Sequence, residues 1–414
     1  MITDYLVPYH LVIFGASGFT GQFVAEEVAR TASEVPGGSL KWAVAGRSRQ
    51  KLEKVLEQAA GPELRTEVDI LVADVGEPDS LAAMCKQAVI VLNCVGPYRF
   101  YGEPVVKACV ENGAHHIDIC GEPQFLEGMQ FKYNSQAADS GVYVIGSCGF
   151  DSIPADMGVV FTRDQFMGTL TTVESFLTVS TGPDGGCIHD GTWQSAIYGF
   201  ADGQKLLSLR RKFNHKPLPT VGSKLKRSNE IQQYTVPFMG SDPSVVKRSQ
   251  RFMVEEHQAS QVQYGAYAGV GGVVSVAKLI FAGMMFWLLV KFSFGRNLLI
   301  KYPELFTFGT FSKAGPSRKQ MDGTSFQFTF CGEGYSEDQD PSKGNPNGKI
   351  RVLVQGPEPG YVATPIAMVQ AALTMLNEPS SLPKKGGVYT PGAAFAKTTL
   401  IDRLNKHGIQ FSVM

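Results

Sequence analysis

The sequence predicts an α/β protein in two parts: a doubly wound parallel sheet in front, then an α+β domain built on an antiparallel sheet. Three observations carry this. A short apolar run closing on glycine passes into a helical pattern near the start of the chain; short apolar strands then alternate with helices as far as residue 147; and beyond residue 170 the strand-like runs lengthen and alternate in polarity. At 414 residues there is material for two or three domains with large cores.

HLVIFG, residues 10–15, has the pattern of a buried parallel strand. Gly15-Ala16-Ser17-Gly18-Phe19-Thr20-Gly21 follows, and QFVAEEVAR then has helical periodicity. Strand, glycine turn and helix in that order are the context of a dinucleotide-binding turn. Glycines let the backbone approach a pyrophosphate, and a helix start offers amide donors with a partial positive charge. The spacing is GxxGxxG rather than GxGxxG, and a purely structural turn is the alternative reading. Gly15, Ser17, Gly18, Phe19, Thr20 and Gly21 are the candidate contacts.

KWAVAGRS, residues 41–48, reads as the second strand. A fold that prefers NAD usually places a carboxylate near this strand's end for the ribose 2′-hydroxyl. Here the end is Gly46-Arg47-Ser48. Arg47 can pair bidentately with a 2′-phosphate and Ser48 can donate to it, which favours NADP(H). A solvated surface arginine is the bland alternative.

The alternation continues: a charged helix over 48–59, a strand ending at Asp74, a helix over 78–88, a strand over 89–96, a helix over 104–114, a strand from His115 and another over 142–147. This is a Rossmann-type doubly wound sheet occupying residues 1–150. Ligands in such sheets sit beyond the carboxyl ends of the strands. That rule lines up the glycine turn, Arg47, Asp74, Asn93 through Gly96, Pro97 and Tyr98, and Asp118 through Glu122 along one edge.

Lys plus Arg and Asp plus Glu both number 38, so no global charge points to a nucleic-acid partner. The cysteines at 85, 94, 109, 120, 148, 187 and 331 have neither zinc-ligand spacing nor the look of a disulfide framework. Reduced thiols and no metal are expected, in a cytosol-facing compartment. The start, MITDYLVPYHLVIFGASG, lacks a basic region before its apolar stretch and does not read as a signal peptide.

GPYRFYGEPVVKACVENGAHHIDICGEPQF, residues 96–125, resembles the saccharopine dehydrogenase-like proteins, and GFDSIPADMG (149–158), DGTWQS (190–195), GYVATPIAMVQAAL and GGVYTPGAAF extend the likeness towards the end of the chain. The resemblance implies a Rossmann domain, a substrate and dimerisation domain over 151–360, and a segment over 361–414 that returns to the first domain. A homodimer is expected. The family includes saccharopine dehydrogenases, which handle an imine of lysine semialdehyde and glutamate, and bacterial trans-acting enoyl reductases; GFDSIPADMG is closer to the latter. Such a likeness bears on fold and cofactor more than on reaction.

A nicotinamide reduction asks the protein for a cofactor cradle, a positioned substrate and a proton source. Tyr98, Asp118 and Asp151 are the candidates for catalysis. Tyr98 reads equally as a pocket wall, and Asp151 with Ser152 as the cap of the helix PADMGVVFTRDQF. His115 and His116 read as structural, and His189-Asp190 as a helix start.

In the second domain strands are expected over 173–180, 260–270, 324–330 and 349–356, and a helix over YVATPIAMVQAALTML. Basic residues crowd 205–227. Within an apolar stretch over 264–292, the run Leu279–Val290 holds no charge, and twelve helical residues extend only about 18 Å, short of a ~30 Å hydrocarbon core. It reads as a buried helix, a dimer-interface helix, or an element inserted in a membrane or lipid-droplet surface through 279–292, flanked by Lys278, Lys291 and Arg296. The function expected is an NADP-dependent oxidoreductase reducing a C=C or C=N bond of a hydrophobic substrate, lipids included, at such a surface; a cytoplasmic or mitochondrial location is the alternative. The competing class is a nucleotide-binding, droplet-associated scaffold without turnover, and the alternative within the class is saccharopine dehydrogenase itself.

Overall fold

The computed structural model describes residues 7–34, 40–60, 67–150, 152–213, 215, 231, 233–339 and 344–414. The chain forms two compact units, Met1–Phe150 with Gly360–His407, and Asp151–Pro359 with Gly408–Met414. Residues 361–414, expected to return together, therefore divide: the last seven join the second unit as an edge strand.

The strands are, in chain order, β1 (Tyr9–Phe14), β2 (Trp42–Gly46), β3 (Asp69–Val72), β4 (Ala88–Asn93), β5 (His115–Asp118) and β6 (Tyr143–Ile145), then β7 (Gly168–Ser180), β8 (Ile188–His189), β9 (Thr235–Pro237), β10 (Gln263–Gly269), β11 (Phe311–Ser312), β12 (Ser325–Ser336) and β13 (Gly348–Pro357), and finally β14 (Gly387–Tyr389) and β15 (Gln410–Val413).

In the first unit seven parallel strands lie in the order β14-β6-β5-β4-β1-β2-β3. Every residue of β2 is buried, as expected of a strand covered on both faces, whereas the edge strand β3 is exposed or half-buried. One face packs Val12, Phe14, Ala43, Ala45 and Val91 against Leu81, Met84, Val105 and Cys109 of the helices Pro78–Cys85 and Tyr98–Asn112. Each such large apolar side chain contributes about 1.5–3 kcal/mol on burial. The returning helix Thr364–Asn377 packs on the helix Phe19–Thr31 and on β4 and β5: although the stretch Pro359–Asn377 is apolar and long enough to resemble a membrane span, the helix is buried from Thr364 to Met375. Glu34 ties in the helix Leu400–Lys406, accepting from His407 Nε2 at 3.0 Å, Arg403 at 3.2 Å and Lys406 at 3.3 Å. The order of strands reverses between β1 and β4, which marks their carboxyl ends as the ligand crevice.

The second unit has a six-stranded sheet, β15-β13-β12-β7-β10-β9. It is mixed rather than wholly antiparallel, because β10 runs parallel to β7. The helices between those strands supply the long crossover that a parallel pair needs. Phe326, Phe328 and Phe330 share one buried face, covered by the helix Ile153–Gln165. That helix approaches closely through Gly158, where a Cβ would stand 2.2 Å from the Phe330 ring. On the opposite face Ser325 and Gln327 meet water while Thr329 is covered.

The apolar run is longer than the sequence suggested. A helix of eighteen residues spans Val273–Val290, beginning after Gly271 and Gly272 and taking in Lys278. Val290 is its one buried residue, so the reading as a buried core helix does not hold.

Candidate cofactor site

The turn after β1 depends on two glycines for different reasons. Gly15 has φ +84°, and a Cβ there would lie 2.7 Å from Val95. At Gly21 a Cβ would come 2.2 Å from the Gly15 carbonyl oxygen and 2.8 Å from the Ala16 Cα, so the first turn of the helix sits directly on the loop. The turn closes through Gly18 N–H donating to the Gly15 carbonyl at 2.9 Å. Gly18 is the N-cap of the helix Phe19–Thr31; among the described residues no side chain caps it, and its first turn has no acidic residue. Ser17 and Gly18 are exposed, with Phe19 and Thr20 half-buried. Phe19 packs edge-on against Tyr361, its centroid 4.8 Å away, and so helps hold the turn.

Beside this turn lies the end of β2. The Ser17 hydroxyl stands 3.7 Å from where a Cβ on Gly46 would be. Arg47 is exposed and, among the described residues, has no hydrogen-bond or ion-pair partner. Ser48 starts the helix Arg49–Ala60, its hydroxyl 3.5 Å from the Lys51 amide. A cradle that admits only backbone, an uncapped helix start and an exposed arginine fit a pyrophosphate and a ribose 2′-phosphate. Asp74 differs: its Oδ1 accepts from Gly76 N at 2.9 Å, closing the turn before the next helix.

At the ends of β4 and β5 the expected polar residues form a buried scaffold. Asn93 Oδ1 accepts from Val95 N at 3.1 Å, and its amide faces His116 Nε2 at 3.3 Å. With the Asn93 amide donating, that nitrogen accepts, and burial holds the His116 pKa at about 3. The 3.7 Å approach of His116 Nδ1 to Asp118 is therefore not an ion pair. Asp118 Oδ1 accepts from Cys120 N at 2.9 Å and Ser147 N at 3.1 Å, joining the ends of β5 and β6. The thiol of neighbouring Cys94 is pushed up to about 12 by burial and by the Asp118 charge.

Gly96 and Pro97 are joined by a cis peptide and lead into the helix Tyr98–Asn112. The Tyr98 ring is buried, its hydroxyl donating to the Asn93 carbonyl at 2.7 Å. Burial first, then the Asp118 charge, raises its pKa well above 10. A phenol so held is a poor proton donor, and Asp118 is equally engaged, so the geometry favours structural roles for both. Asp151 lies outside the described residues. Ser152, next to it, occupies the N-cap of Ile153–Gln165 but makes no side-chain cap bond among the described residues; its hydroxyl instead faces Ser241 at 3.1 Å. His189 does cap its helix, accepting from Gly191 N at 3.2 Å.

Sequence reasoning missed Arg99. Its Nε donates to Glu122 Oε2 at 3.1 Å while Oε1 accepts from Tyr98 N at 2.9 Å, with the side chains 8% and 2% exposed. Glu122 thus braces the start of the Tyr98 helix; an arginine after GPY carries no pattern that announces such a partner. Also unforeseen is a buried polar group in the second unit, where Ser249 donates to Asp156 at 2.6 Å and Tyr264 meets Ser175 at 2.6 Å.

A parallel sheet whose switch point carries a glycine cradle, with an exposed arginine rather than a carboxylate after β2, defines a dinucleotide-binding domain of the NADP type. Residues 11–145 match the saccharopine dehydrogenase NADP binding domain. A human protein named saccharopine dehydrogenase-like oxidoreductase is 62% identical over 98% of this chain and 97% of its own. A Caenorhabditis elegans protein named lipid droplet localized protein is 40% identical over 98% of both. The solved saccharopine dehydrogenase (L-Glu forming) of Saccharomyces cerevisiae shares the fold, with a TM-score of 0.55 at 10% identity over 98% of this chain and 99% of that one. The chain belongs to the saccharopine dehydrogenase-like oxidoreductase family, and its first unit binds NADP(H).

Proposed function

We propose that this protein uses NADPH to reduce a C=C or C=N bond of a hydrophobic substrate, lipids included, at a membrane or lipid-droplet surface. The observation that carries the reading is the glycine cradle beside the exposed Arg47, which has no partner among the described residues. When bound, NADPH supplies a hydride. The turn Gly15–Gly21 and the helix start behind it would hold the pyrophosphate, with Ser17 at the rim, and Arg47 with Ser48 would hold the 2′-phosphate. The likeness of residues 149–158 to enoyl reductases supports a C=C substrate. The worm relative's name and the exposed apolar helix support a lipid surface. Tyr98 and Asp118 are assigned to the scaffold.

Arg47→Ala should raise the Kd for NADPH about 10- to 100-fold, the range of a charged hydrogen bond to phosphate, and change NADH binding less than about 3-fold. Fluorescence titration with each cofactor checks this; equal losses for both would remove Arg47 from the 2′-phosphate.

The engagement of Tyr98 and Asp118 favours a second reading, a nucleotide-binding scaffold at the same surface that has lost turnover. Following NADPH oxidation with enoyl and imine substrates, saccharopine-type imines among them, separates the two: tight binding with no oxidation of NADPH supports the scaffold.

A further inference from the structure

We propose that the Val273–Val290 helix lies in the plane of a single phospholipid leaflet and does not cross a bilayer. The inference rests on the lipid-surface part of the reading above and adds its topology. Eighteen residues extend about 27 Å, so length alone permits a crossing. What forbids it is where the two ends are held. The helix begins four residues after Gly269, which pairs with Thr235 in the six-stranded sheet, and Val270 N–H donates to the Tyr234 carbonyl at 2.9 Å. At the other end Val290 is buried with Ile197 and Leu299, and Arg296 donates to the Val290 carbonyl at 3.0 Å. The next helix, Ser293–Lys301, folds back so tightly that a Cβ on Gly295 would stand 2.1 Å from the Leu289 carbonyl oxygen. Both ends belong to one folded unit. A crossing helix would have to deliver them to opposite sides of the hydrocarbon, taking paired strands apart or drawing polar backbone through it.

The side chains agree with in-plane insertion. Ile280, Phe281, Met284, Trp287 and Leu288 recur at helical spacing on one exposed face. Phe286 and Leu289 face the other way, Phe286 lying 5.2 Å from the rings of Trp193 and Phe200. Lys278 lies three turns before Leu289 and projects on that same side, so the apolar stripe carries no charge. At the helix end Lys291 Nζ sits 3.1 Å above the ring of Trp287, itself 60% exposed: an aromatic-cation pair suited to the head-group boundary. Phe292 and Phe294 continue the exposed apolar surface. Just after Phe200, the helix Gly203–Phe213 exposes Lys205, Arg210, Arg211 and Lys212 and has no acidic residue. That charge complements a leaflet containing anionic lipid.

The test is co-flotation of the purified full chain with phosphatidylcholine–phosphatidylserine vesicles and with triolein droplets coated by a monolayer of the same lipids. Binding to both is expected, with at least a ~10-fold loss in the M284D/W287D double variant, whose NADPH titration stays unchanged. Binding to vesicles but not to coated droplets would mean a crossing helix and overturn the topology while leaving the lipid reading intact. Undiminished binding by the variant would place the contact on another face. Binding to neither would defeat both, and a concentration-dependent dimer abolished by the variant would assign the face to a second copy of the chain.

Discussion

Gly21→Ala should abolish NADPH binding and lower stability by about 3 kcal/mol or more. The added methyl would have to occupy a point 2.2 Å from the Gly15 carbonyl oxygen, a backbone atom held by its own bond from Gly18. Neither atom can rotate away, so the loop must lift off the helix and its amides lose their common aim. Losing two charge-assisted bonds to phosphate weakens binding at least ~100-fold. Gly18→Ala is the contrast, since its Cβ would meet the same oxygen at 3.1 Å, a contact relieved by a few tenths of an ångström. Titration with NADPH and urea melts on both variants check the pair; a Gly21→Ala protein that binds NADPH normally would show that the turn is not the cradle.

The protein should be about 4 kcal/mol less stable at pH 5 than at pH 7, through His115 and His116 alone. Burial lowers their pKa values to about 4 and about 3 from 6.5. The geometry requires neutral rings: His115 Nδ1 accepts from Tyr143 N at 3.1 Å, and His116 Nε2 faces the Asn93 amide. As pH falls below 6.5 the unfolded chain takes up two protons that the folded chain refuses until about pH 4 and 3. Stability therefore declines through that window as acid is added, by about 1.4 kcal/mol per unit for each ring. Urea melts across this range test the slope, and His115→Gln should remove about half of it. Flat stability from pH 7 to pH 5 would contradict the desolvation of both rings, His116 fully buried and His115 half-buried.

The strands of the first sheet were legible because the stretch of a core strand covered on both faces must be apolar, as Leu11–Phe14 of β1, all of β2 and Ala88–Leu92 of β4 are. The cradle was legible because glycine is needed where backbone meets backbone, as at Gly15 and Gly21. Polar residues at strand ends were not, since the same positions serve ligands and scaffold alike. Asp118 and Tyr98 look like chemistry in the sequence, yet their hydrogen bonds hold strand to strand and strand to helix. Arg99 escaped notice because its meaning lies in Glu122, a partner distant in sequence. The parallel pairing of β10 with β7 is likewise non-local, and Gly271-Gly272 concealed rather than marked the true start of the apolar helix.

The division of the chain bears on the order in which it can be made. β6 ends at Ile145, but its outer neighbour β14 begins only at Gly387, and the core helix of the same unit starts at Thr364. At 5–20 residues per second a ribosome needs roughly ten to fifty seconds to cover that interval, during which the first sheet has an open edge and an uncovered face. The second sheet waits too, since its edge strand β15 is made only after all its other strands. Neither unit is complete before β14 and β15 have been made. A premature stop before residue 360 would therefore leave two unfinished cores rather than one finished domain, and the nascent protein should depend on chaperones that shield apolar sheet edges until β14 and β15 are in place.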